Sequence, residues 1–305
     1  MPIAVQGQWE ALSGQFAEAA AHADKFIVAV HGGRRVAGSG ILWRAGVVVT
    51  ASHMVRRDEM EVTLADKSTR KATLAGRDPG SDVAVLRIES EQAGVLPQFG
   101  DTTDLRVGYL VLAVGRSTLG DLAATAGIVA RLGAAWQTWR GGKIDSLLRP
   151  DVTLYPGQSG SALVDSKARL LGMNTAALAR AATITVPTAT IERVAGEILQ
   201  HGGVFRPYLG LAMQPVVIPP DLASKLKIAD ESALMVMQVE PESPSATAGM
   251  MLGDIILKIN EQPVSRIEQI QTALGSAKRG DSVTLTYARG GELGTSKVKL
   301  ADRPR

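Results

Sequence analysis

Tyr155-Pro156-Gly157-Gln158-Ser159-Gly160-Ser161-Ala162-Leu163 sets a serine between two glycines, in a tight turn that runs straight into an apolar strand. Such a turn exposes a hydroxyl and aims backbone N–H groups at one point beside it. Those groups can receive the negative charge that forms when an alkoxide attacks a carbonyl. A serine hydroxyl is a weak nucleophile, so this chemistry needs a base and a group that orients the base. Both are found upstream, in the order His, Asp, Ser.

The base follows by elimination among four histidines. His22 lies in an Ala-rich, helix-like segment. His31 ends an apolar run before Gly32-Gly33 and reads as a hairpin residue. His201 sits at a helix C-terminus before Gly202-Gly203, where a cation complements the helix dipole. Only His53 follows a buried strand, Val47-Val48-Val49-Thr50, and opens a short turn. Alone it would read as a core histidine satisfied by its neighbours; the downstream serine turn favours the base. The orienting acid is Asp82, immediately before the apolar run Val83-Ala84-Val85-Leu86-Arg87-Ile88. A carboxylate there is costly unless it accepts hydrogen bonds, and an imidazole N–H would supply one while fixing the tautomer. The rival reading, a residue of the turn before the strand, suits Asp78 better because Pro79 follows it.

The order His53, Asp82, Ser159 matches the chymotrypsin-type double barrel, whereas subtilisin-type triads run Asp, His, Ser and α/β-hydrolases run Ser, Asp, His. The hydrolase elbow Gly-x-Ser-x-Gly also fails, because position 161 is Ser. The chain resembles the HtrA/Deg family of trypsin-like serine proteases with a C-terminal PDZ domain. The resemblance is carried by Gly38-Ser39-Gly40-Ile41-Leu42, Val49-Thr50-Ala51-Ser52-His53-Met54-Val55, Ser81-Asp82-Val83-Ala84-Val85-Leu86, Pro156-Gly157-Gln158-Ser159-Gly160 and Leu171-Gly172-Met173-Asn174-Thr175. Arg206-Pro207-Tyr208-Leu209-Gly210-Leu211 and Gly253-Asp254-Ile255-Ile256 extend it into the C-terminal part. The chain departs from the family pattern at Ser161 and Ala162, which stand where Gly-Pro is usual. The loop after Asn174 is short and poor in glycine, and the hairpin over 30–36 lacks a long insertion.

The resemblance implies a mainly β protein, a chymotrypsin-like double β-barrel followed by a PDZ domain. It implies acyl transfer with His53, Asp82 and Ser159 as the triad and the N–H groups of Gly157 and Ser159 as the oxyanion hole. Thr153 lies near where this barrel places its pocket floor. It is uncharged, which implies cleavage after a small or medium apolar residue. In the PDZ part, the N–H groups of Leu209, Gly210 and Leu211 would converge on a peptide's terminal carboxylate. Ile267, Ile270 and Leu274, at helical spacing over 265–277, would line the groove or simply pack as core. Substrates would be unfolded or misfolded polypeptides, and partners would be peptide C-termini and further copies in a homotrimer. The alternatives are a peptide-binding adaptor or chaperone on a silent protease fold and, against the order of the triad, an esterase.

Composition agrees with this class. The 305 residues suggest two domains. The 32 glycines and recurrent short Val/Ile/Leu runs favour barrels. Strand-like runs fall at 26–30, 40–42, 47–50, 83–88, 110–114, 126–132, 161–164 and 170–174, with a connection between barrels near 100–108. We expect a helical segment over 1–25, a protease domain over 26–201 closed by an amphipathic helix over 188–201, and a PDZ domain over 207–302. Trp9, Leu12, Phe16 and Ala20 form a stripe that would pack on the barrel or on another subunit. The polar loop 135–143 carries Trp136 and Trp139, which in the resembled family is a ligand-sensing position. A net charge of +3 is too small to argue for nucleic acid, so Arg34-Arg35 and Arg56-Arg57 read as solvated loop charges. Without cysteines, disulfides are excluded. With no close histidine pair either, a zinc site is not expected, and no cofactor fingerprint is present. No signal peptide and no membrane-spanning run is visible. The expectation is cytoplasmic as written, or periplasmic by resemblance if a leader was removed.

Overall fold

A computed structural model describes residues 3–33, 37–89, 94–179, 182–226, 228, 232–275 and 277–302. Arg34, Arg35 and Val36 of the N-terminal hairpin, and Arg180 and Ala181 of the loop after Asn174, lie outside the described residues. The chain divides into two compact units, Met1–Val204 and Phe205–Arg305.

The first unit opens with helix α1 (Ile3–Asp24) and holds two closed antiparallel barrels. The first barrel is built from β1 (Ile27–Val30), β2 (Gly38–Arg44), β3 (Val47–Ala51), β4 (Glu59–Thr63), β5 (Thr69–Asp78) and β6 (Val83–Ile88), closed in the order β1-β2-β3-β6-β5-β4. β3 is buried along its whole length, and so is β6 apart from Arg87, as expected of Val-rich runs walled in on both sides. β4 and β5 were not among the expected strands. Each alternates charged outward residues with buried ones such as Met60, Val62 and Ala72, so no apolar run marks them.

The second barrel begins with β7 (Leu110–Arg116) and β8 (Leu122–Gly133). A short ribbon follows, β9 (Trp136–Gln137) with β10 (Lys143–Ile144). β11 (Leu147–Asp151), β12 (Ala162–Val164), β13 (Leu170–Thr175) and β14 (Ile184–Pro187) complete the barrel in the order β11-β14-β13-β12-β7-β8. The ribbon separates the two loop tryptophans. Trp136 packs half-buried against the core, while Trp139 is 75% exposed at the tip with the Arg140 guanidinium stacked 4.5 Å from its ring. Helix α2 (Thr188–His201) buries Ile191, Val194 and Ile198 and stops at Gly202, whose left-handed backbone returns its N–H to the Ile198 carbonyl.

The second unit holds β15 (Pro207–Tyr208), β16 (Leu211–Val217), α3 (Pro220–Leu226), β17 (Ser232–Val239), α4 (Pro244–Thr247), β18 (Ile255–Ile259), β19 (Gln262–Pro263), α5 (Ile267–Gly275), β20 (Ser282–Arg289), β21 (Glu292–Lys299) and β22 (Ala301–Asp302). Its main sheet runs β16-β17-β18-β20-β21, which makes β16 an edge strand. Asp254 is buried and receives both Arg289 Nε at 2.6 Å and Arg289 Nη2 at 2.8 Å. That hydrogen-bonded carboxylate pushes the Arg289 guanidinium above its ordinary value. No helix among the described residues is long and apolar enough to cross a membrane.

Candidate active site

Three separate pieces of the first unit converge. β3 ends at Ala51, and the chain turns through one 3-10 turn, Ser52–Met54, closed by Val55 N–H on the Ser52 carbonyl at 3.1 Å. His53 leaves this turn with 31% of its side chain exposed. Asp82 stands at the head of β6 with φ +57, a left-handed conformation that Asp tolerates better than most residues. Backbone held in this region tends to mark functional sites. Because β3 and β6 pair with Ala51 opposite Val83, the residues just beyond those ends meet. His53 Nδ1 lies 2.8 Å from Asp82 Oδ2, and the His53 backbone N–H donates to Oδ1 at 2.9 Å. Asp82 is 1% exposed, and Thr175 at the end of β13 also donates to Oδ2 at 2.5 Å. Its carboxylate is thereby satisfied in a place where an isolated charge would be costly.

Ser159 sits half-buried on the loop before β12. Among the described residues its hydroxyl makes no hydrogen bond, and neither does His53 Nε2, so the structure does not join the serine to the imidazole. Unliganded catalytic pairs are often loose in this way. The loop's backbone is selectively committed. The N–H groups of Gln158, Gly160 and Ser161 go to the carbonyls of Tyr155, Asn174 and Gln158 at 3.0, 2.9 and 3.0 Å. Those of Gly157 and Ser159 go to no described residue. The loop therefore offers two free donors beside one free hydroxyl. Gly160 is required here: its φ is +91, and a Cβ would lie 2.0 Å from the Ser39 carbonyl oxygen.

The departure at Ser161 is absorbed locally. Ser161 is fully buried, and its hydroxyl accepts from the Asn174 amide at 3.1 Å. Asn174 is held in turn by Thr185 Oγ1 at 2.7 Å. Asp78 behaves as a turn former, taking Gly80 N–H and both Ser81 donors. Arg56 and Arg57 are exposed. Alternation along this segment leaves Thr153 exposed, its carbonyl accepting from Thr125 Oγ1 at 3.0 Å, while Val152 and Leu154 pack on the barrel core. Among the described residues, no group of three or more His, Asp or Glu side chains is placed to hold a metal ion.

In the second unit, Gly210 has φ +79 and its carbonyl accepts from Glu240 N–H at 2.9 Å, while the Leu209 carbonyl accepts from Ser245 N–H at 3.0 Å. The N–H groups of Leu209 and Gly210 donate to no described backbone group. Leu211 opens the edge strand β16. Ile270 is buried in this unit's core, whereas Ile267 and Leu274 are half-buried.

The trypsin-like peptidase domain family matches residues 38–173, and the PDZ domain family matches residues 207–300. Over 283 residues the chain is 31% identical to the serine protease Do-like HtrA of Lactobacillus helveticus, covering 86% of this chain and 68% of that protein. It is 30% identical over 287 residues to the chloroplastic protease Do-like 1 of Arabidopsis thaliana, covering 88% and 64%. To a probable periplasmic DegP-like serine endoprotease of Pseudomonas fulva it is 31% identical over 274 residues, covering 88% and 56%. The chain thus spans about half to two thirds of the length of these curated relatives. Among solved structures, the HtrA-type protease AlgW with a tripeptide matches with TM-score 0.68 and 26% identity, covering 95% of this chain and 98% of that one. A serine endoprotease from Yersinia pestis matches with TM-score 0.73 and 24% identity, covering 95% and 98%, and shows the shared fold.

Proposed function

We propose that this chain, which belongs to the HtrA/DegP family of serine proteases, is a serine endopeptidase acting through His53, Asp82 and Ser159. The observation that carries the proposal is the His53 Nδ1–Asp82 Oδ2 contact of 2.8 Å. It fixes Nδ1 as the donor and leaves Nε2 as the base. His53 takes the Ser159 proton as the hydroxyl attacks a peptide carbonyl, and Asp82 stabilises the imidazolium. The N–H groups of Gly157 and Ser159 receive the oxyanion. His53 then protonates the leaving amine, and water cleaves the acyl-enzyme by the same base. We assign the protease domain to 26–201 and the PDZ domain to 207–302.

The substrates are unfolded or misfolded polypeptides, and the PDZ domain takes free C-termini at Leu209, Gly210 and Leu211. The working particle is a homotrimer. These readings are supported by family membership and by the free N–H groups of Leu209 and Gly210. A second reading, a peptide-binding adaptor on a silent protease fold, is favoured by one observation: the Ser159 hydroxyl makes no bond to His53 among the described residues. Labelling with a fluorophosphonate separates the two. Modification of Ser159, absent from Ser159→Ala, supports the endopeptidase. An unlabelled, folded wild-type chain that still binds peptides supports the adaptor.

A further inference from the structure

We propose that Ser39 is a positioning residue for the oxyanion loop. This rests on the endopeptidase reading above. Gly157 N–H and Ser159 N–H belong to two different peptide groups, and the peptide between them, the Gly157 carbonyl with the Gln158 N–H, sets how both are aimed. That middle peptide is pinned at each end. Gln158 N–H donates to the Tyr155 carbonyl at 3.0 Å, and the Gly157 carbonyl accepts from Ser39 Oγ at 2.8 Å. The pin matters because Gly157 has φ +92 and no side chain to restrict it.

The direction of the Ser39 proton is settled by its surroundings. Ser39 is fully buried on β2, in the other barrel from the loop. Its oxygen accepts the Arg116 N–H at 2.7 Å, so its single proton is free to serve an acceptor. The Gly157 oxygen stands at 2.8 Å and the Arg116 carbonyl at 3.5 Å, so the proton goes to Gly157. The same residue's backbone N–H holds the Ser159 carbonyl at 3.1 Å, and its own carbonyl accepts from Thr50 Oγ1 at 2.7 Å. One residue of the first barrel therefore fixes two carbonyls of the nucleophile loop, those of the two residues whose N–H groups are left free. Removing the hydroxyl leaves the Gly157 peptide held at its Gln158 end alone, and the donors lose their alignment before the reaction rather than during it.

The test compares wild type with Ser39→Ala. Deleting an oxyanion donor itself costs about 10²–10³-fold in kcat, and releasing one from alignment should cost about 10- to 100-fold, with KM nearly unchanged. A peptide boronic acid, which places an oxygen where the oxyanion forms, should lose affinity by the same factor. The matching peptide amide, bound as a competitive inhibitor, should not. The pH–rate profile should keep its shape, because Ser39 touches neither His53 nor Asp82.

Wild-type kcat and boronate affinity in a folded Ser39→Ala would overturn the inference, and so would an equal loss for boronate and amide. If Ser39→Ala does not fold, Ser39→Cys decides, since its thiol fills the same space and donates weakly. Undiminished boronate affinity in Ser39→Cys, or failure of both variants to fold, would overturn the role. A wild-type chain that fluorophosphonate does not label is a failure of the endopeptidase reading instead.

Discussion

Thr175 Oγ1 donates to Asp82 Oδ2, the same oxygen that faces His53 Nδ1. One carboxylate oxygen is thus shared between the second barrel's β13 and the turn that carries His53, and this contact holds the acid in register with both. Hydrogen bonds to charged groups contribute about 1.5–3 kcal/mol. Thr175→Val keeps the volume and removes the donor, so kcat/KM for a peptide substrate should fall about 10- to 100-fold, mostly in kcat. Thr175→Ser should restore most of it. Steady-state kinetics at fixed pH checks this, and a fully active Thr175→Val would show that His53 alone suffices to hold the acid.

Ser159→Ala and His53→Ala should each lower peptide hydrolysis by about 10⁴-fold or more, and the double variant should be hardly worse than either single one, because the triad acts as a unit. Casein digestion by Ser159→Ala at near wild-type rate would remove Ser159 as nucleophile. Circular dichroism should show both single variants folded: the Ser159 hydroxyl bonds to no described residue, and in His53→Ala the Asp82 carboxylate keeps the backbone N–H of residue 53 and Thr175 Oγ1.

Arg116 is 2% exposed and lies on β7 beneath the end of α1, with Nη1 at 2.7 Å from Asp24 Oδ1 and Nη2 at 2.7 Å from the Ile27 carbonyl. Asp24→Ala strands a buried guanidinium. The expected loss is about 2–4 kcal/mol, toward the low end for a broken buried pair because about a third of the Asp24 side chain is exposed. Asp24→Ala with Arg116→Met should recover most of it, as an apolar replacement of both partners often does. Urea unfolding of the full chain measures both; a double variant no better than the single would mean the cost is in packing, not charge.

The residues that local pattern could find were the ones with chemistry written into neighbouring sequence. His53 and Asp82 stand at the ends of Val-rich buried strands, and Ser159 stands between glycines. Strands β4, β5, β11 and β14 were missed because half-buried alternation, or Pro150 and Pro187 within a short run, leaves no apolar signature. Ser39 and Thr175 lie inside segments that mark the family, yet their roles depend on partners 118 and 93 residues away. Spacing along the chain cannot show a bond made by barrel closure. Ile270 shows the same limit in α5, where helical spacing identifies an apolar face but not what covers it.

The assembly prediction concerns α1. Its C-terminal half packs on the barrel through Phe16, Ala19, Ala20 and Ala23, while Trp9 stays 69% exposed. A trimer contact made by this half-free helix should depend on Trp9. Light scattering on the full chain should give the mass of a trimer, and deletion of residues 1–15, which spares the Asp24–Arg116 pair, should lower it. A full chain that stays monomeric at high micromolar concentration would exclude the trimer.

The last prediction concerns peptide capture by the second unit. The carbonyls of Leu209 and Gly210 are held by the N–H groups of Ser245 and Glu240, while their own N–H groups donate to no described backbone group, so a ligand carboxylate should bind them beside the open edge of β16. Gly210 cannot be replaced cheaply. Its φ is +79, and a Cβ would lie 2.1 Å from the Ser243 Cβ, so any side chain displaces the loop or the start of α4. A short added strand makes a small interface, so affinity for a peptide with a free apolar C-terminus should be on the order of micromolar. Titration calorimetry on the Ser159→Ala chain, which leaves the peptide uncut, should show at least about tenfold weaker binding when the same peptide is amidated, because the free N–H groups then face a neutral group. Gly210→Val should abolish binding of the acid form. Ile270 variants would report core stability instead, since that side chain is buried; Leu274→Ala should change preference for the last residue of the peptide. Equal affinity for acid and amide would mean that the Tyr208–Leu211 segment only turns the chain into β16, and the second unit would then have to recognise something other than a C-terminus.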